Sequence, residues 1–197
     1  MKRIVLIFVY LIAVNSFSQD KKINVELSYP IAIGDNFFAK GNYKGYVDLG
    51  MGYNFLKKGD FDLGIEVRGS YYKKKYTGAL LTPTSFESPI INTIFAEPKI
   101  RVTYTIPSLK KLKFSTGLGY SFAWYNVSTG DVNIKDYTIE DDGFSINLNA
   151  SYFLTDNIYS LINYGFIKTQ GSLLPEINKT SFNTNISTFK FGLGYSF

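Results

Sequence analysis

The chain has 197 residues, no cysteine, no histidine and a formal charge of +5. Those two absences exclude a disulfide framework, a thiolate or imidazole metal site, and every catalytic scheme that uses a histidine base. The remaining bias is aromatic, with 16 Tyr and 17 Phe against one Trp. It favours strands, while a mean hydropathy of −0.02 excludes a bundle of membrane helices.

Lys2 and Arg3 precede an unbroken apolar run from Ile4 to Val14, and Ser16 and Ser18 follow. This is the layout of a secretory leader, too short to span a bilayer as a helix. Cleavage is expected before Gln19, giving a signal peptide over residues 1–18 and one domain over residues 19–197. Losing Lys2 and Arg3 leaves a mildly basic chain, which does not suggest a nucleic-acid partner.

Beyond the leader no amphipathic helix is evident, and segments with period-two alternation recur instead. The first runs Ile23–Ile31, and a polar stretch from Ala32 to Lys44 follows it. The second, Tyr46–Phe55, meets the third, Phe61–Tyr71, through Lys57-Lys58-Gly59-Asp60, a hairpin signal. A long loop is expected over Tyr72–Thr93, containing Lys73-Lys74-Lys75 and the apolar Ala79-Leu80-Leu81, Phe86 and Ile90-Ile91. That much apolar surface implies strands that rise past the membrane, or a partner.

The fourth segment, Ile94–Ile106, turns at Pro107–Lys111 into the fifth, Leu112–Trp124. A second long loop is expected over Tyr125–Asp142. The sixth, Gly143–Leu154, turns at Thr155-Asp156-Asn157 into the seventh, Ile158–Lys168, and a last long gap, Thr169–Thr184, precedes the eighth, Asn185–Phe197.

Eight strands, with short turns and long loops in strict alternation, are the pattern of an antiparallel up-and-down transmembrane β-barrel. Strands of this length cross a bilayer at a steep tilt, and closure removes edges that lipid cannot satisfy. A soluble lipocalin-like barrel also has eight strands. It would turn its apolar face inward, whereas here the face opposite the aromatics carries glycine, serine and charge.

The hexapeptide GLGYSF occurs at Gly117–Phe122 and Gly192–Phe197, and GMGYNF at Gly50–Phe55. As a strand it sends Leu, Tyr and Phe to one side and Gly and Ser to the other. Lipid suits the first side and a narrow, crowded interior suits the second. No helix pattern follows any copy, so a phosphate-cradling loop is not indicated. The second and eighth strands run opposite to the fifth, which favours convergent composition over a duplicated hairpin.

On this architecture the chain resembles the small eight-stranded bacterial outer-membrane barrels of the OmpA/OmpX type, over all of Gln19–Phe197. The last strand carries the resemblance furthest, with Phe189, Phe191, Leu193, Tyr195 and terminal Phe197. The resemblance implies that these residues form a membrane-insertion signal read by the barrel-assembly machinery. It also implies a place in the outer membrane of a Gram-negative bacterium, in contact with lipid and lipopolysaccharide.

The inward phase holds Glu26, Asp48, Glu66, Arg68, Glu97, Lys99, Arg101, Lys113 and Lys190. Buried charge requires partners, so an interior network that fills the barrel is expected rather than a conducting pore. Lys73, Lys74 and Lys75 are candidates for lipopolysaccharide phosphates, as point charges. Glu140-Asp141-Asp142, with Asp131 and Asp136, match no calcium-loop spacing and read as a solvated acidic loop. Tyr71, Tyr72, Trp124 and Tyr125 are expected in an outer aromatic girdle. No catalytic residue, metal site or cofactor is expected. The function read here is a non-enzymatic envelope protein that is structural or binds surfaces through its loops. The alternatives are a subunit of a larger secretion or transport complex, and a narrow pore.

Overall fold

The computed structural model describes residues 22–75, 89–128, 135–171 and 179–197. The expected leader and the segments Ala79-Leu80-Leu81, Phe86 and Asp131 lie outside the described residues. Eight antiparallel strands form one closed barrel in sequence order. They are β1 (Ile23–Ile33), β2 (Lys44–Lys58), β3 (Phe61–Lys75), β4 (Ile90–Thr105), β5 (Leu112–Ser128), β6 (Tyr137–Phe153), β7 (Ile158–Thr169) and β8 (Asn185–Ser196). Two single-turn helices, α1 (Phe37–Lys40) and α2 (Ser181–Thr184), lie in the β1–β2 and β7–β8 connections.

Strand alternation sorts the side chains. Val25, Leu27, Met51, Ile65, Val67, Ile100, Leu118, Leu148, Ile162 and Leu193 are all more than 40 % exposed. The residues between them are buried and mostly polar, an inside-out arrangement that only a lipid exterior stabilises. β1 and β8 close the seam from Asn24↔Ser196 to Ile33↔Ser187. Pro98 cannot donate to a ladder; the β4–β5 pairing skips from Ala96↔Phe122 to Lys99↔Gly119 around it. At the β2–β3 turn Gly59 has φ +60, a conformation glycine adopts without strain.

At the turn ends the strands keep the expected bounds closely, with β3, β5 and β7 starting at Phe61, Leu112 and Ile158. At the opposite, loop end they are longer. β3 continues to Lys75, β4 begins at Ile90, β5 continues to Ser128 and β6 begins at Tyr137. The described part of the expected loop over Tyr125–Asp142 is therefore mostly strand, and Glu140, Asp141 and Asp142 belong to β6. β5 and β6 have 17 residues each. Such a strand rises about 40 Å along the axis at a 45° tilt, against an apolar band of roughly 25 Å. The β3–β6 wall thus projects beyond the membrane as hydrogen-bonded sheet.

Candidate functional site

Three places hold the candidate site residues and the side chains around them: the charged middle of the interior, the mouth, and the outer rim. In the middle, Glu26, Asp48, Glu66, Glu97, Arg68, Lys99, Arg101 and Lys190 are each at most 5 % exposed. Arg68 on β3 is the hub. Its Nη1 donates to Asp48 Oδ1 at 2.5 Å, its Nε to Glu66 Oε1 at 3.1 Å, and its Nη2 to Glu26 Oε2. Lys190 Nζ from β8 donates to Asp48 Oδ2 at 2.6 Å and lies 3.6 Å from Glu97 Oε1.

Lys99 Nζ pairs with Glu97 Oε2 at 2.7 Å, and Arg101 Nη1 with Glu66 Oε2 at 3.2 Å. Four acids meet four bases, and every member has an opposite charge in contact. Lys113 stands apart, half-buried, with its Nζ 4.7 Å from the Phe153 ring centroid.

Neutral groups complete the network. Ser28 and Ser70 donate to Asp48 at 3.0 and 2.5 Å. Arg101 Nη2 donates to Asn24 Oδ1 at 2.8 Å and Asn54 Oδ1 at 2.9 Å, and the Tyr159 hydroxyl donates to Glu26 Oε1 at 2.9 Å. These neutral partners were missed in the sequence reading. The available signal was their inward phase, since Asn24 lies two residues before Glu26 and Ser70 two after Arg68.

The repeated glycines lie against this network. A Cβ at Gly50 would stand 2.9 Å from Arg68 Nη2, and one at Gly52 2.7 Å from Arg101 Nη2. One at Gly119 would meet the Pro98 carbonyl and the Lys99 stem, and one at Gly194 the Tyr159 ring. The small side of GLGYSF is the space that long charged side chains and a tyrosine occupy.

The facing wall, β5–β7, is uncharged at this depth. Ser145, Asn147 and Asn163 there are at most 1 % exposed. Ser145 Oγ, Asn147 Oδ1 and both amide atoms of Asn163 have no protein hydrogen-bond partner. Ordered water ordinarily satisfies such groups.

The mouth is filled mainly by aromatic and aliphatic side chains. Phe38, Tyr43, Tyr72, Ile91, Phe95, Tyr125, Val127, Ile167 and Ile186 form one buried cluster. Phe38 belongs to α1, which the Asn36 cap folds inward. Asn36 Oδ1 accepts from Phe38 N at 3.1 Å and Ala39 N at 3.0 Å, and its Nδ2 donates to Ile33 O at 2.8 Å. The Phe38 ring stacks on Tyr43 at 4.2 Å and meets Tyr72 and Phe95 edge-on at 4.9 and 5.5 Å. Tyr72 and Tyr125 are therefore corrections: both are 0 % exposed and belong to this seal, not to the girdle. Tyr71 and Trp124, one residue away on the outward face, are half-exposed.

At the rim, Lys73 and Lys75 follow Tyr71 on the outward phase, while Lys74 turns inward with its Nζ 5.1 Å from the Tyr43 ring centroid. Lys44 on β2 is the direct partner of Lys73. Across the rim, Asp141 Oδ1 accepts from Gly171 N and Asp142 N, both at 2.8 Å, and Tyr120 donates to Asp142. Asp136 Oδ2 accepts from Ser128 Oγ at 3.0 Å. Among the described residues no group of three or more acids, histidines or cysteines is arranged to hold a metal. Phe189, Phe191, Leu193, Tyr195 and Phe197 are all exposed on the outward face of the seam strand.

A family model described as an outer membrane protein beta-barrel domain matches residues 4–197. No curated protein matches the chain. Among solved structures, Ail of Yersinia pestis in complex with the heparin analogue sucrose octasulfate is similar at TM-score 0.56 and 12% identity, covering 89% of this chain and 97% of that one. Neisserial surface protein A is similar at TM-score 0.52 and 18% identity, over 89% and 96% of the two chains. OprG of Pseudomonas aeruginosa is similar at TM-score 0.51 and 10% identity, over 90% and 96%.

Proposed function

The chain belongs to the outer membrane protein beta-barrel family and resides in a Gram-negative outer membrane, and from that premise we propose that it is a self-sealed, non-enzymatic barrel whose working surface is its extracellular rim. The observation that carries this is the interior. Four acids and four bases neutralise one another across the lumen, and an aromatic cluster closes the mouth above them. A lumen filled in this way argues against an open, continuous path and against a cleft for a substrate. With no histidine in the chain, the rim offers no imidazole base. What remains accessible is the outward surface of β3–β6 above the lipid, where cationic and acidic side chains stand on paired strands.

In this reading the outward row Phe189, Phe191, Leu193, Tyr195 and Phe197 serves insertion by the assembly machinery as well as lipid contact. Residues 1–18 serve export and are removed. The test is reconstitution of the folded barrel in planar bilayers, combined with assays on phospholipid and peptide substrates. Silent bilayers and no turnover are expected. Stable conductance steps would overturn the seal, and turnover abolished by a point substitution would overturn the non-enzymatic reading.

A further inference from the structure

We propose that Lys44, Lys73 and Lys75 form a phosphate-binding site for a lipid headgroup of the outer leaflet, placed on the barrel wall rather than on a loop tip. Lys44 and Lys73 are direct cross-strand partners, so both side chains leave the same face of the sheet. That face is outward: Tyr71, two residues before Lys73, is on the lipid side, and Tyr72 between them is buried. Lys75 continues the row. Lys74 does not belong to it, because its ammonium lies over the Tyr43 ring inside the mouth.

Like charges directly opposite one another destabilise a strand pair. The four cations of the middle network are each matched with an acid. No ion pair or hydrogen bond is made by the side chains of Lys44, Lys73 or Lys75 among the described residues. An anion bridging them converts the repulsion into attraction.

The level of the site in the membrane identifies the anion. Directly below the lysines, the Tyr46 and Tyr71 rings are in contact with centroids 5.7 Å apart, forming part of an aromatic girdle that marks the headgroup zone. Beside Lys73, its β4 partner Asn92 accepts from the Tyr71 hydroxyl at 2.8 Å. That bond uses the Asn92 oxygen and leaves its amide nitrogen as a further donor. Three ammonium groups and an amide above two tyrosines match a phosphate whose acyl chains run down the Tyr46–Tyr71 wall. Lysines at such a surface snorkel, with stems on the apolar wall and charge at the phosphates.

The inference deepens the rim reading and rests on membrane placement, not on the sealed lumen, so a conducting barrel would overturn the seal and leave this site standing. The experiment compares retention of bisphosphorylated and dephosphorylated lipid A by the purified folded barrel, read by native mass spectrometry. Folding of each variant is checked by its boiling-dependent gel mobility. Wild type should retain the phosphorylated lipid and not the dephosphorylated one. The triple variant K44Q/K73Q/K75Q should lose on the order of 100-fold in affinity, from about fivefold per lysine. K74Q should bind like wild type.

Equal loss in K74Q and K73Q would overturn the outward assignment. Retention of both lipids alike would overturn phosphate recognition. Full competition by millimolar inorganic phosphate would overturn the lipid in favour of a free anion.

Discussion

The interior has two storeys built on the same eight strands, and they are filled by different physics. The middle storey is ionic: Arg68 binds Glu66 on its own strand, Asp48 on β2 and Glu26 on β1, and glycines clear the space. The upper storey is aromatic, and its central ring, Phe38, is not on a strand at all but on a capped turn folded into the mouth. The ionic storey gains its stability from mutual neutralisation, where removing one member exposes the rest. The aromatic storey gains it from area and packing, where neighbours partly close over a loss. The middle should therefore fail in an all-or-none way, and the mouth locally.

Arg68→Ala is the sharpest test, because it leaves three buried carboxylates short of a partner. A cost of about 3–5 kcal/mol is expected, read as a lower urea midpoint for unfolding in detergent or vesicles. Equal stability of Arg68→Ala and wild type would show that water neutralises the lumen and would erase the contrast. Phe38→Ala should cost about 3 kcal/mol, and limited proteolysis should then cut within residues 34–43 while the barrel stays folded. Global unfolding in that variant would mean that the mouth, not the charge network, holds the barrel closed.

Tyr159→Phe removes the hydroxyl that donates to Glu26 Oε1 and keeps the ring. A loss of about 1–2 kcal/mol is expected in the same urea experiment. Asn36→Ala removes the cap that aims Phe38 and should cost about 1 kcal/mol, seen as faster cleavage of the same loop with little change in the urea midpoint.

The middle storey was legible in the sequence and the mouth was not, for a physical reason. Within the lipid, every second residue must be apolar, so phase alone assigns Glu66, Arg68, Glu97, Lys99 and Arg101 to the inside. The same constraint locates the strand ends at the short turns. Above the lipid the outward face is free to be polar, and alternation fades while hydrogen bonding continues. Hence β6 starts at Tyr137 rather than Gly143, and β3 ends at Lys75 rather than Tyr71.

Tyr72 and Tyr125 were misassigned because tyrosine suits both a girdle and a plug. Their neighbours Tyr71 and Trp124 take the outward phase, so pleating requires the second ring of each pair to face in. Nothing in the stretch Ala32–Lys44 announces that Phe38 enters the mouth. The apolar Phe37-Phe38 pair has no period, and only the Asn36 cap hints at a turn. Lys44 was missed at the rim because its partnership with Lys73 is a property of register, which the bulge between Gly45 and Val47 sets.

The extension of β3–β6 beyond the membrane changes what recognition costs. A ligand met by a loop must restrict a chain that was free, and that lost freedom is subtracted from every contact made. Side chains such as Lys73, Lys75, Asn92 and Glu140 hang from backbone that pairing has already fixed, at the spacing of adjacent strands. Their ligand has only side-chain rotamers left to restrain. A surface of this kind changes its specificity by exchanging one residue for another, two positions along a strand, and hardly at all by growing or shortening the chain.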